Sequence, residues 1–218
     1  MIREDKSVAV IKSATASDLE AINRFSRKEL TADDVYTFRV RLCDDIVDRD
    51  CECFSVDALK ELGELFVGKP FLFDHVWSAT KQTARIYSTH LEKDGDATCL
   101  MADVYMLRLP GNGDLIAMID GGILKEISVG CAMGTSTCGI CGESYSKCDH
   151  YRGRVYSGTT CHVILSDAQD AYEASFVAVP AQPAAGVQKS TTEKQYMSIT
   201  EVESAKQQLA LEKLRFGG

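Results

Sequence analysis

The segment CGICGESYSKCDH, residues 138–150, sets three cysteines and a histidine within thirteen positions, and it constrains the fold more than any other stretch. Cys138-x2-Cys141 followed by Cys148-x-His150 offers four soft or borderline ligands, enough to close a tetrahedral zinc shell. Cys161 stands near enough to replace His150, so the fourth ligand stays open between the two. A catalytic zinc keeps one coordination position free, whereas four protein ligands leave none, and the spacing therefore points to a structural ion. Such an ion would staple an inserted polar, glycine-rich loop of about thirty residues, 131–162, that has little apolar surface with which to hold itself together.

A disulfide framework fits less well. The chain has nine cysteines, an odd number, and its start, MIREDKSVAVIKSA, lacks the apolar core of a secretory signal. No apolar run approaches the roughly 20 residues that span a bilayer, so the expectation is a cytoplasmic chain with reduced thiols and no membrane partner. Cys43, Cys99 and Cys131 read as small core or strand residues, and Cys51-x-Cys53 is a ligand-like pair with no further ligands beside it. A formal net charge of -8 argues against a nucleic-acid partner.

Periodicity predicts an α+β domain. SDLEAINRF carries a Ser17-to-Glu20 capping box and puts Leu19, Ile22 and Phe25 near one helical face, which makes residues 1–34 a helical arm outside the main core. VYTFRVRLC alternates, with Tyr36, Phe38, Val40 and Leu42 on one face and Thr37, Arg39 and Arg41 on the other. A helix capped by Ser55 turns Leu59, Leu62 and Phe66 inward and stops at Gly68 and Pro70. Further strands are expected at ARIYSTHLEK, ATCLMADVYML, LKEISVGCAMG, HVILSD and AYEASFVAVPA, with a short helix, LIAMID, behind Asp114. PAQPAAGVQKSTTEK is a linker by composition, and the region 188–218 joins it to a tail helix within SITEVESAKQQLALEKLRFGG. Residues 35–187 then form one core domain, antiparallel and barrel-like, with a few helices.

Four histidines bound the search for a general base. His75, in FLFDHVWS, follows a short apolar run after a helix and a Gly-Lys-Pro turn, a place from which a polar side chain can project into a cleft. Ser128, in KEISVGCAMG, shares a strand face with Glu126 and Gly130 while Ile127 and Val129 face the core, and Gly130 lets a substrate backbone come close. Glu173, in YEASFVAVPA, can supply the acid that orients a histidine. Each also has an ordinary reading, as a cap histidine, a strand serine and a solvated carboxylate. His90-Leu91-Glu92 with Cys138-x2-Cys141 mimics the motif pair of zinc deaminases, but no proline precedes the cysteine pair and Cys148 and His150 are left without a role.

In this order, GKPFLFDH, GGILKEISVG and EASFVAVPAQPAAGV resemble the prohead proteases of tailed phages, capsid-maturation serine peptidases whose fold is akin to that of herpesvirus assemblin. The resemblance runs from about Tyr36 to Val187, and each motif is short, so its specificity lies in their order and joint presence. It implies a β-barrel ringed by helices, with His75 matching the family's base and Ser128 its nucleophile. The third member varies within the group; position favours Glu173, with Asp170 and Asp167 as alternatives. The zinc loop departs from the minimal family pattern. What the resemblance further implies is a serine endopeptidase acting in the host cytoplasm, inside the assembling prohead, on scaffold and capsid-protein extensions and on its own termini, with room for self-association. The competing expectation is an inactive, scaffold-like assembly protein that keeps the fold.

Overall fold

The structure, a computed structural model, describes residues 14–188 and the short segments 8–9 and 196–197. Val8–Ala9 (β1) pairs antiparallel with Tyr196–Met197 (β12) in a unit of its own. The other unit, Ala14–Lys189, runs α1 (Ala16–Asn23), β2 (Val35–Asp44), β3 (Glu52–Phe54), α2 (Val56–Phe66), β4 (Pro70–Phe73), β5 (Ala84–Asp94), β6 (Ala97–Leu107), α3 (Gly113–Asp120), β7 (Ile127–Cys138), a hairpin of β8 (Val155–Tyr156) and β9 (Thr159–Thr160), β10 (Val163–Phe176) and β11 (Gly186–Val187). The tail helix expected within 198–218 lies outside the described residues.

Eight strands form one sheet in the order β11-β2-β6-β5-β4-β10-β3, with β7 on the other edge of β10. The expected antiparallel barrel is corrected in two respects. The sheet is mixed, because β3 and β4 both lie parallel to β10. These two strands are joined through α2, and a strand-helix-strand crossover returns the chain in the same direction. The sheet is also not closed, since β7 and β11 are not paired and only Glu126, just before β7, bridges Gly186 of β11.

Helix α2 forms as its residues dictate. Ser55 Oγ accepts from the Ala58 amide at 3.1 Å, and Leu59, Leu62 and Phe66 are fully buried against the sheet. Each such side chain contributes about 1.5–3 kcal/mol by leaving water. Gly68 ends the helix at φ 86°, where a side chain would also meet the Phe25 ring. The core beneath is aromatic: the Phe71 ring lies 5.3 Å from Phe176 and 5.9 Å from Phe38. On the opposite face of β2, β5 and β6, Ile22 of α1 packs with Leu30, Val35, Tyr87 and Tyr105.

Local expectations shift in four places. The cap of α1 is Thr15, whose side chain accepts from the Asp18 amide while the Asp18 carboxylate takes the Thr15 amide, so the helix starts earlier than the Ser17 box predicted. Arg41, assigned to the open face of its strand, is buried because Asp44 and Asp94 hold its guanidinium at 2.8 and 2.9 Å. HVILSD and AYEASFV are one strand, β10, with two bulges rather than a break. The first part of the compositional linker is packed: Gln182 is buried and bonds the Asp44 amide and carbonyl, and β11 pairs with β2.

Phe71 locks β4 to β10 just ahead of His75. Phe71→Ala is expected to lower the unfolding free energy by about 3–5 kcal/mol, read as a reduced urea midpoint without a change in slope.

Candidate active site and metal centre

The β7/β10 ladder puts Ser128 and Glu173 on one face. Its register sets Ser128 opposite Ser175, Val129 opposite Ala174 and Gly130 opposite Glu173. Ile127, Ala174 and Phe176 face the core, so Ser128, Gly130, Glu173 and Ser175 share the other face. A bulge between Ala171 and Glu173 inserts Tyr172 and shifts the pairing phase, the kind of irregularity that re-aims a side chain.

His75 reaches this face from the turn after β4. Val76 donates to the Phe73 carbonyl at 2.9 Å, closing the turn, and the Asp74 amide donates to the Phe176 carbonyl at 3.0 Å. Asp74 and His75 both take left-handed conformations, with φ 50° and 55°. Two consecutive non-glycine residues there store strain, a feature that concentrates at functional sites. The turn places His75 Nδ1 2.7 Å from Glu173 Oε1. Glu173 is 2 % exposed, and its second oxygen accepts from Ser175 Oγ at 2.5 Å. An ionised carboxylate only accepts, so this contact puts the imidazole proton on Nδ1 and leaves Nε2 as the basic nitrogen on a ring 40 % exposed.

Gly130 makes the arrangement possible. A Cβ built on it would stand 2.5 Å from Glu173 Oε1, so any other residue would occupy the space the carboxylate uses. The glycine that the sequence offered for substrate approach is thus also the floor under the acid. Asp170 is engaged with Lys69 at 3.2 Å, and Asp167 is an exposed left-handed residue beside a second bulge; of the three acids considered, Glu173 is the one hydrogen-bonded to His75. His90 faces Glu92 at 3.7 Å and does not belong to the cysteine cluster. Ser175 was missed, although its spacing of two from Glu173 on a strand was a usable sign that both share a face.

The candidate metal centre lies at the other end of the same ladder, where Cys138 pairs with Val163. β7 runs to Cys138, so the loop proper spans 139–162. The ligand atoms of Cys138, Cys141, Cys148 and His150 lie within 4.8 Å of one another and could hold a metal ion. The loop is shaped for this: Gly142, at φ 76°, donates to the Cys138 carbonyl at 2.9 Å, and the Ile140 amide donates to Cys138 Sγ at 3.4 Å. Burial alone would raise the Cys138 pKa, but the amides of Cys141 and Ile140 and the thiols of Cys141 and Cys148 outweigh it and bring it down to about 6. His150 Nδ1 is buried and has no hydrogen-bond partner among the described residues, which fits an atom meant for a metal. Cys161 Sγ sits 3.8 Å from Cys138 Sγ, and burial, then contact with Cys138, raises its pKa to about 11. Cys53 is buried on β3, and Cys51 is a left-handed residue at its start.

Compared with protein-family models, curated proteins and solved structures, the chain matches none. Among the described residues no helix is long and apolar enough to cross a membrane.

Gly130→Ala is the sharpest test of the acid's seating. It should displace Glu173 from His75 and destabilise the chain by about 1–3 kcal/mol, read by thermal unfolding together with the low-field resonance of the His75 Nδ1 proton; an unshifted resonance would contradict the packing described.

Proposed function

We propose that the chain is a serine endopeptidase of the prohead type. The observation that carries this reading is the 2.7 Å contact between His75 Nδ1 and a buried Glu173, on the face that the strand register gives to Ser128. In the proposed reaction Ser128 Oγ attacks a peptide carbonyl and its proton passes to His75 Nε2. The tetrahedral intermediate collapses as that proton is returned to the leaving amine, leaving an acyl-serine. Water then attacks the ester, giving its proton to Nε2, and the second tetrahedral intermediate collapses as that proton returns to Ser128 Oγ, releasing the fragment with a new carboxyl terminus. Glu173 keeps the imidazole in the productive tautomer and stabilises the imidazolium formed in each half-reaction. By resemblance, the substrates are scaffold and capsid-protein extensions within an immature shell in the host cytoplasm, and the chain's own termini.

The metal is proposed to be structural zinc on Cys138, Cys141, Cys148 and His150, with the Cys161 thiol donating to the Cys138 sulfur. Three thiolates and an imidazole are a donor set suited to zinc. At about 3.4 Å per residue the ligand Cys138 lies on the order of 30 Å along β7 from Ser128, too far for the ion to touch the reacting atoms. Zinc bound there supplies folding free energy to a loop that otherwise lacks a core.

The test is acylation of the purified full chain by a fluorophosphonate, with self-cleavage followed by intact mass. Wild-type protein should be labelled on Ser128 and shortened with time. Ser128→Ala should be neither, and Glu173→Gln should acylate about 10²–10⁴-fold more slowly. A chain that is folded, unlabelled and uncleaved would instead be an inactive assembly protein.

Metal analysis separates the two sulfur roles. Wild type and Cys161→Ser are expected to carry about one zinc per chain, and Cys148→Ser much less. Chelation should lower the melting temperature before it affects acylation; acylation that stops at once in a chelated but folded chain would make the ion catalytic.

A further inference from the structure

We infer that Ser175 is a positioning residue, fastening Glu173 and the His75 turn to one another; this rests on the reading of Ser128, His75 and Glu173 as a peptidase triad. Ser175 is wholly buried on β10. Its hydroxyl donates to Glu173 Oε2 at 2.5 Å and accepts from the His75 backbone amide at 3.1 Å. Its cross-strand neighbour is Ser128. One small side chain therefore touches the acid and the backbone of the base, and lies opposite the nucleophile.

Both bonds answer a need that the rest of the fold leaves unmet. Glu173 is buried, and its bond to His75 satisfies one oxygen only, through a ring that is partly in solvent. A carboxylate held at one oxygen can still turn about its terminal torsion, which is broad for glutamate. The Ser175 proton on the second oxygen fixes the carboxylate plane, and with it the direction in which Oε1 faces the imidazole. The His75 amide, in a turn of two left-handed residues, points at the buried Ser175 hydroxyl and requires an acceptor there. A hydroxyl can donate and accept at once; alanine can do neither, and threonine does both in a similar volume. Because Ser175 acts on the base through the acid, its loss is read at the imidazole.

The experiment uses the full chain. In a Ser128→Ala background, which prevents self-cleavage, the low-field resonance of the His75 Nδ1 proton is compared for Ser175, Ser175→Ala and Ser175→Thr. With Ser128 intact, the rate of fluorophosphonate acylation is measured for the same three. Ser175→Ala should lose the resonance and acylate about 10- to 100-fold more slowly, and Ser175→Thr should recover both. A role confined to packing would leave the resonance of a folded Ser175→Ala chain in place, and that result overturns the inference. If the Ser128-containing chain with Ser175 is not acylated at all, the triad reading fails. The resonance still decides the positioning role, upheld by loss in alanine with return in threonine and overturned by persistence. Should Ser175→Ala not fold, Ser175→Cys, of similar volume but a poorer donor, takes its place: a weakened resonance supports the inference and an unchanged one overturns it.

Discussion

The desolvation of Glu173 is the constraint on which the rest of the site depends. A carboxylate that is almost without solvent must find donors for its oxygens, because an unpaired polar group is costly to bury. Here one donor is a ring from a strained turn and the other a hydroxyl from its own strand. The room for this group exists because the residue across the ladder is a glycine. Neither the turn nor the glycine makes sense by itself. The left-handed pair Asp74 and His75 is held by Phe176 and Ser175 at the end of the strand that also carries the acid. The bonds made by His75 and Ser175 therefore offset both the strain in the turn and the burial of the charge within a few residues of chain.

Strand β10 carries that coupling because it is shared. One edge is fully taken by β7, and the other is divided between β3 near Val163 and β4 near Phe176, with α2 packed across the interval. In that interval the Ala168 amide finds the Glu61 carboxylate at 2.8 Å in place of a ladder partner. The crossover β3-α2-β4 thus does more than fill a face. It delivers His75 to the same end of β10 as Glu173, and a hairpin in its place would have sent the histidine the other way.

How much of this could be read from the chain follows from the range of each interaction. Ser55, Leu59, Leu62 and Phe66 announce a helix through contacts a few residues apart, and they behave as their pattern says. The alternation of Ile127, Ser128 and Val129 is likewise local and assigns Ser128 to its face without any knowledge of β10. Arg41 breaks its pattern because a bulge follows it on β2 and because one of its two partners, Asp94, comes from β5, and no period carries that information. The parallel pairing of β3 and β4, the open edge of the sheet, and the bulge at Tyr172 are similarly non-local. Gln182 shows the limit of composition: the segment around it looks like a tether, yet an amide that can bond both polar groups of the Asp44 backbone turns it into structure. The cysteine cluster was legible because metal ligation with close ligand spacing is itself a short-range property.

The placement of the cysteine-rich loop has a consequence for how this chain can vary. Residues 139–162 form the tip of the long hairpin made by β7 and β10, and the two strands pair register by register up to Cys138 and Val163. A hairpin tip is the one position where chain can be added, removed or replaced without sliding the strands past each other. The loop is accordingly where the hairpin can change in length while its opposite end keeps its geometry, the ion pair from Arg152 to Glu52 of β3 being the tie such a change would have to keep or replace.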